Sequence, residues 1–163
     1  MDDSQFDIHA EIEDSHWWFK ARREIIFDAL KRYVSPNGKS MIAEIGCGTG
    51  GNLKFLKKWY RVIGVDISPE AVRYSSERVD CEVLLGDFRE KLIDRWKNID
   101  AVILPDIIEH IDDDASFLGD IVSNLRVGGV ILITVPAYAY LWSTHDVILG
   151  HKRRYSPSQL RLL

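Results

Sequence analysis

From residue 41 onward, short apolar runs alternate with stretches whose apolar positions recur every three or four residues. Met41–Ile45 reads as a first strand, broken by the single carboxylate of Glu44, and it stops on a glycine cluster, Gly46, Gly48, Gly50 and Gly51. Leu53 and Leu56 then fall at helical spacing, which predicts a helix over about Gly50–Lys58. Arg61–Val65 is a second strand closing on Asp66. Ser68-Pro69-Glu70 follows with a capping serine, a first-turn proline and an early carboxylate, so a helix is expected to about Arg78. Cys81–Leu85 is a third strand closed by Gly86-Asp87, and Asp100–Leu104 a fourth. A helix over Asp113–Leu125 ends ahead of Gly128-Gly129, where a helix C-terminus accepts glycine. Val130–Val135 is almost wholly β-branched and is predicted to be a fifth strand buried on both faces.

The flanks are less regular. Residues 1–13 are acidic and aperiodic and read as a loose arm. A helical period runs from Asp14 to Tyr33 through Trp18, Ile25, Ile26, Ala29 and Leu30, with Asp14 or Ser15 as its cap. Pro136–Arg154 reads as an aromatic and polar loop, and Ser156-Pro157-Ser158-Gln159 as the capping box of a last helix.

Five apolar strands separated mostly by helices describe an α/β protein with a parallel, doubly wound sheet and helices on both faces. Such sheets bind ligands beyond the carboxyl ends of their strands, at the point where strand order reverses. Asp66, Asp87 and Asp106 all fall on that edge. In the turn after the first strand, glycines let backbone approach a ligand closely, and the amides opening the next helix favour an anionic group.

Composition narrows the class. The chain has 163 residues, 46% of them hydrophobic and 28% charged, as expected for one domain of an ordinary globular protein. Its formal net charge of −4 advertises no basic surface for nucleic acid. No apolar run reaches the roughly 18–20 residues that span a bilayer. Met1-Asp2-Asp3 opens no signal core, so a cytoplasmic location is expected. Cys47 and Cys81 are too few for a disulfide framework and read as reduced packing residues.

Gly46, Gly48 and Gly51 satisfy G-x-G-x-x-G, and Asp66 lies twenty positions beyond Gly46, placed to accept both hydroxyls of a ribose. NAD and S-adenosylmethionine both supply that ribose. Glu44 separates them. A carboxylate inside a strand needs a partner, and a ligand carrying an ammonium group provides one. Gly86-Asp87-Phe88 adds an acceptor for an adenine amino group beside an aromatic side chain.

Glu44-Ile45-Gly46-Cys47-Gly48-Thr49-Gly50, Gly64-Val65-Asp66-Ile67-Ser68, Gly86-Asp87, Ile107-Ile108-Glu109-His110 and Leu125-Arg126-Val127-Gly128-Gly129 together resemble the motifs of the class I S-adenosylmethionine-dependent methyltransferases, in order and in spacing. The resemblance covers about residues 38–136. His16-Trp17-Trp18-Phe19 and His151-Lys152-Arg153-Arg154-Tyr155 resemble a bacterial and archaeal subset with small-molecule or glycan-linked acceptors. The resemblance implies a Rossmann-like sheet, S-adenosylmethionine as cofactor, and methyl transfer to a small-molecule or carrier-linked acceptor. It implies that Glu44 and Gly46 meet the methionine end, Asp66 the ribose, and Asp87 and Phe88 the adenine. Asp106 lines the crevice near the sulfonium, and Cys47, Gly48 and Ile67 join the cofactor-binding set from the same motifs. Leu104-Pro105-Asp106-Ile107 replaces the Asn/Asp-Pro-Pro-aromatic signature of base-methylating relatives, which lowers the expectation of a nucleic-acid acceptor.

Two histidines are candidates for the chemistry. His110 follows the fourth strand beside the expected methyl-transfer point, as a base for an acceptor hydroxyl or as a hydrogen-bonded structural residue. His145 adjoins Asp146 as an oriented base or as an exposed loop pair. Trp17 and Trp18 stand about 100° apart on a helix, so one is expected to pack while the other lids the pocket, making residues 14–33 a helical lid. Lys152-Arg153-Arg154 reads either as an anion-binding run or as a solvated face. No metal site is read from the sequence. A nicotinamide-dependent oxidoreductase and a non-catalytic binding module are the alternative functions. The family's last two strands have no counterpart here, so a truncated C-terminus is expected, and the apolar fifth strand is expected to form an edge open to homodimerisation.

Overall fold

The computed structural model describes residues 10–163. Five strands form one parallel sheet in the order β3-β2-β1-β4-β5: β1 is Met41–Ile45, β2 Arg61–Asp66, β3 Glu82–Leu85, β4 Ala101–Pro105 and β5 Val130–Thr134. The chain steps outward from β1 to β3, then crosses back to lay β4 against the other side of β1. Glu44 is in register with Gly64 of β2 and Ile103 of β4. Strand order therefore reverses between β1 and β4, and their carboxyl ends open the expected crevice.

Alternation along the strands divides the core between the two faces. Ala43, Ile45, Ile63, Val65, Val102 and Leu104 pack with Phe88, Leu92, Trp96, Phe117, Leu118 and Ile121. Ile42, Val62, Ala101 and Ile103 pack with Leu30, Leu53 and Leu56 on the other side. Glu44 points to this second face among buried apolar groups.

The N-terminal region departs from the expected single helix. The expected loose arm lies outside the described residues up to residue 9, while residues 10–15 are helical. The period then breaks at His16, and a second helix runs over Trp17–Leu30. Its cap is His16, whose Nδ1 accepts from the Trp18 N–H, in place of Asp14 or Ser15. Trp17 and Trp18 are both more than half exposed, so neither takes the packing role; Ile26 and Leu30 anchor the helix instead. Lys31–Tyr33 lies beyond its end as turns.

The C-terminal half corrects three further expectations. All five positions of β5 are half-buried, because β5 pairs only with β4 and stands at the sheet edge among the described residues. Phe88 opens a one-turn helix, Phe88–Lys91, which Asp87 caps. The expected loop after β5 contains a helix, Thr144–Leu149, opened by a capping box of Ser143 and Asp146 and closed by Gly150 in the left-handed region. The final helix, Pro157–Leu160, starts on the Ser156/Gln159 box as expected.

This last segment is fastened to the sheet. Ala137 bridges to Tyr155, and the Lys152 N–H donates to the Glu109 carbonyl at 2.8 Å. The buried Tyr155 hydroxyl donates to Asp114 Oδ2 at 2.6 Å and lies 3.1 Å from the Ile108 carbonyl oxygen. Burial and that carboxylate push its acidity well below that of an ordinary tyrosine. Among the described residues, no helix is long and apolar enough to cross a membrane.

Candidate active site

At the carboxyl ends of β1 and β4 lies a crevice of about 660 Å³. Its floor is the turn after β1. Gly46 has φ +72°, and a Cβ there would stand 2.1 Å from Ile107 Cδ1, so a side chain would strain the backbone and push Ile107 aside. Gly48, at φ +53°, has nothing within 4 Å of the position its Cβ would take, leaving its backbone open to a ligand.

Glu44 is the electrostatic centre of this floor. Asn52 Nδ2 donates to its Oε1 at 2.7 Å, while its Oε2 is buried with no hydrogen-bond partner. Burial raises its pKa to about 8; Asn52 and Arg22 oppose the rise, and the negative Glu13 and Asp66 reinforce it. A buried carboxylate oxygen without a partner is a costly arrangement that an incoming cation relieves. Cys47 is buried beside it, and burial pushes its thiol well above the ordinary range, so it acts as packing and not as a nucleophile.

Asp106 follows β4 with φ +55°, a conformation that aspartate tolerates better than most residues. Its carboxylate pairs with Arg22 of the helix Trp17–Leu30 and accepts from Thr134 Oγ1 at 3.1 Å. Arg22 thus ties the helical cover to the sheet edge, and Trp18 and Phe19 from the same helix line the crevice. Glu13 adds a second fastening: it accepts from the Thr49 hydroxyl in the glycine turn and pairs with Arg78 at 3.2 Å.

The far wall comes from the loop after β4 and the segment after β5. Glu109 is fully buried, and neither of its carboxylate oxygens has a hydrogen-bond partner. Burial lifts its pKa to about 8; Asp106 adds to the rise, while its own backbone N–H and Arg22 oppose it. His110 directs Nδ1 at the Gly150 carbonyl oxygen, 3.4 Å away, which makes Nδ1 the protonated nitrogen and leaves Nε2 with its lone pair. Burial and the neighbouring His151 hold its pKa below the ordinary histidine value. His145 is exposed on the crevice rim.

Asp146 serves other partners than His145. Its buried carboxylate receives His151 Nδ1 at 2.9 Å and Arg154 through Nε at 2.7 Å and Nη2 at 2.8 Å. The Arg154 guanidinium, with further help from His151 and the Ser143 N–H, holds it far below the usual carboxylate range. The basic run that follows is likewise engaged: Lys152 pairs with Asp112, Arg153 with Asp114 and Arg154 with Asp146, which leaves none of the three as a free anion receptor.

The crevice therefore gathers Glu44, Gly46, Cys47, Gly48, Asp106, His110 and His145, but its walls do not include Asp66, Ile67, Asp87 or Phe88. Asp66 braces the glycine turn, accepting from Gly48 N and Ser68 N at 2.9 Å each. Each of its oxygens retains a further lone pair. Ile67 beside it is 79% exposed. Asp87 accepts from the Arg89 N–H and pairs with that guanidinium at 2.9 Å. The ring of Phe88 does not face a ligand: it is buried 5.0 Å from Phe117 and 6.2 Å from Trp96. Capping by Asp87 turns the chain inward at that point.

Arg22 and Glu13 entered the site from far along the chain, and no local spacing pointed to them. Asp146 and His151 were singled out in the sequence, but as a neighbour of His145 and as part of a motif, not as partners of each other. Glu109 did carry a signal. It is a carboxylate flanked by Ile107, Ile108 and Ile111, the same anomaly that singled out Glu44.

The family model described as a methyltransferase domain matches residues 43–133, more than half of the chain. A probable S-adenosylmethionine-dependent methyltransferase of Mycolicibacterium smegmatis is 28% identical over 91% of this chain and 58% of its own length. A ubiquinone biosynthesis O-methyltransferase of Rhodopseudomonas palustris is 29% identical over 69% of this chain and 49% of its own length. The chain thus spans about half to three fifths of these curated relatives. Among solved structures, an S-adenosylmethionine-dependent methyltransferase from Archaeoglobus fulgidus superposes with a TM-score of 0.62 at 26% identity, over 86% of this chain and 66% of that one. With its glycine turn, its buried in-strand carboxylate and its parallel sheet, the chain belongs to the class I S-adenosylmethionine-dependent methyltransferase family.

Proposed function

We propose that the chain is one cofactor-binding domain that transfers a methyl group from S-adenosylmethionine to a small-molecule or carrier-linked acceptor. The observation that carries this reading is Glu44 Oε2, a buried carboxylate oxygen without a partner beside an open glycine turn. The ammonium of a methionine moiety supplies the missing charge directly or through one water. The pyrophosphate of a nicotinamide dinucleotide would instead bring negative charge toward Glu13 and Asp66, a like-charge encounter, and would offer the buried Glu44 no cation.

In this reading the glycine turn Gly46-Cys47-Gly48 receives the methionine end. Asp66, at the end of β2, takes the ribose hydroxyls with its remaining lone pairs. Asp87, at the end of β3, accepts from the adenine amino group, and the exposed Ile67 covers the base in place of Phe88. Asp106 and His110 then stand at the mouth where the methyl group is presented. Bound there, S-adenosylmethionine would supply a methyl group for an acceptor lone pair, with sulfur keeping the electron pair of the bond that breaks. Positioning carries most of such a displacement, because the sulfonium is already an activated leaving group. An acceptor hydroxyl also has to lose its proton. His110 Nε2, unprotonated near neutrality, is placed to take it, while His145 stands on the rim.

Calorimetry tests the reading. S-adenosylmethionine or S-adenosylhomocysteine is expected to bind in the micromolar range, with no comparable binding of NAD. Asp66→Ala is expected to weaken binding about tenfold or more, since hydrogen bonds to a charged group contribute about 1.5–3 kcal/mol. Comparable affinity for NAD would replace this reading with an oxidoreductase.

A further inference from the structure

We infer that Glu109, His110 and His151 form a binding site for a divalent transition-metal ion, with zinc the best-matched ion, on the wall of the crevice opposite the glycine turn. One ligand atom from each of the three residues lies within 4.8 Å of the other two. This spacing suits a single ion: donors about 2.0–2.2 Å from a shared centre stand roughly 3–4 Å apart, so a modest closure completes the site.

Three independent features make this cluster a site and not a chance grouping. Glu109 is completely buried with both oxygens unpartnered. A carboxylate in that position is normally paired with a cation or hydrogen-bonded, yet neither oxygen makes a hydrogen bond, and only its own backbone N–H and the charge of Arg22 weakly favour its ionised form. His151 donates Nδ1–H to Asp146 at 2.9 Å, and Asp146 is itself held by Arg154 at 2.7 Å. That chain fixes the ring and its tautomer so that Nε2 carries a free lone pair, the carboxylate–histidine arrangement that orients metal ligands. His110 is fixed in the same sense by the Gly150 carbonyl oxygen at 3.4 Å. The two imidazoles meet edge to face, with centroids 4.9 Å apart.

The chemistry of the donor set selects the metal class. Two neutral imidazoles and one carboxylate suit zinc, iron(II), nickel or cobalt over magnesium or calcium, which favour oxygen donors throughout. Three protein ligands leave coordination positions open, as in catalytic sites and unlike closed structural ones. Those positions face the crevice, since Glu109, His110 and His151 all line it. On the proposed methyltransferase reading, an acceptor bearing a hydroxyl is the natural further ligand, and His110 then holds the ion instead of taking a proton.

Metal-stripped protein titrated with Co²⁺, without cofactor or acceptor, tests the site on its own. Stoichiometric binding is expected, with visible d–d bands of a four- or five-coordinate ion. Glu109→Gln and His151→Ala are each expected to weaken binding about 100-fold or more, and Asp146→Asn about 10–100-fold. Circular dichroism and S-adenosylhomocysteine binding, read on the same variants, identify any that have lost the fold. X-ray absorption of zinc-loaded wild type needs no variant. Two imidazole nitrogens at about 2.0–2.1 Å are expected; a shell without imidazole, or no stoichiometric binding, overturns the proposal. Because cofactor affinity is measured separately, an intact cofactor site without metal binding refutes the metal site alone.

Discussion

In the ligand-free chain Glu44 stays protonated near neutrality, because its buried Oε2 faces neither water nor a cation and Glu13 and Asp66 lie nearby. Its folded pKa of about 8 lies above the roughly 4.3–4.5 of an unfolded glutamate. The stability linked to this group is therefore fully present below about pH 4.5 and lost as pH rises to about 8, on the order of 4–5 kcal/mol in all. Glu44→Gln is expected to raise the Tm of the ligand-free protein above pH 7 while weakening the cofactor, a trade between stability and function. If the ammonium binds ionised Glu44, affinity should tighten by up to about tenfold per pH unit between about pH 6 and 8. Proton release measured by calorimetry in buffers of different ionisation enthalpy checks this. Arg22 and Asn52, which favour the charged form, set where the rise levels off. Gly46→Ala carries a different cost. Its Cβ meets Ile107 Cδ1 at φ +72°, so a loss of about 2 kcal/mol or more is expected in denaturant melts. Adding Ile107→Ala should recover the steric part and leave the backbone part.

Polar fastenings supplement apolar anchors in both flanking elements: Arg22 adds a tie to the buried Ile26 and Leu30 of the helix Trp17–Leu30, and Asp146 adds one to the buried Tyr155 of the segment after β5. Ile25 and Tyr33 are exposed, and so are Tyr140, Ile148 and Leu149. Arg22→Ala removes the tie to Asp106. Amide exchange across Trp17–Leu30 is expected to quicken by up to about tenfold, the scale of one partly exposed ion pair. Asp146→Asn should strip exchange protection from His151, Lys152 and Tyr155 together, since one carboxylate organises their turn. Unchanged protection there would mean that Tyr155 alone anchors the segment. These elements also mark how far the sequence can be read. The strands were legible because apolar runs bounded by glycine and aspartate leave few alternatives, and Glu44 because a charge inside a strand asks for a partner. The Thr144–Leu149 helix was legible in principle, from Ser143-x-x-Asp146 and Gly150, but pairing His145 with Asp146 concealed it. Phe88 was misplaced because motif order locates a residue on the strand edge without saying which way its side chain turns. The contacts of Asp146 with His151 and Arg154 depend on how the chain returns over β4, which no short-range period records.

At the scale of the whole molecule, β5 pairs with β4 and with no other strand among the described residues, and its five residues are all half-buried. Val122 and Val127 are exposed in the chain leading to it. An edge of this kind pairs readily with another strand. The 163-residue chain is expected to self-associate, most simply as a two-fold dimer, by light scattering at rising concentration. A monodisperse monomer with strong exchange protection at Ile131 and Ile133 would show that the edge needs no partner.

The crevice has one wall from residues 13–22 and another from residues 135–154, with the glycine turn between them. Its fastenings close long loops: Arg22 to Asp106 spans 84 positions, Arg78 to Glu13 spans 65, and Arg153 to the Asp112 carbonyl spans 41. Loop-closure entropy grows with such separations, and contacts of long sequence separation slow folding. Both walls bear on groups at the carboxyl edge of the paired sheet, so the binding site is expected to be completed late in refolding. A nascent or partly refolded chain would carry its core before it could hold a ligand, and ligand would then act as a clamp on the final step, not as a template for the first.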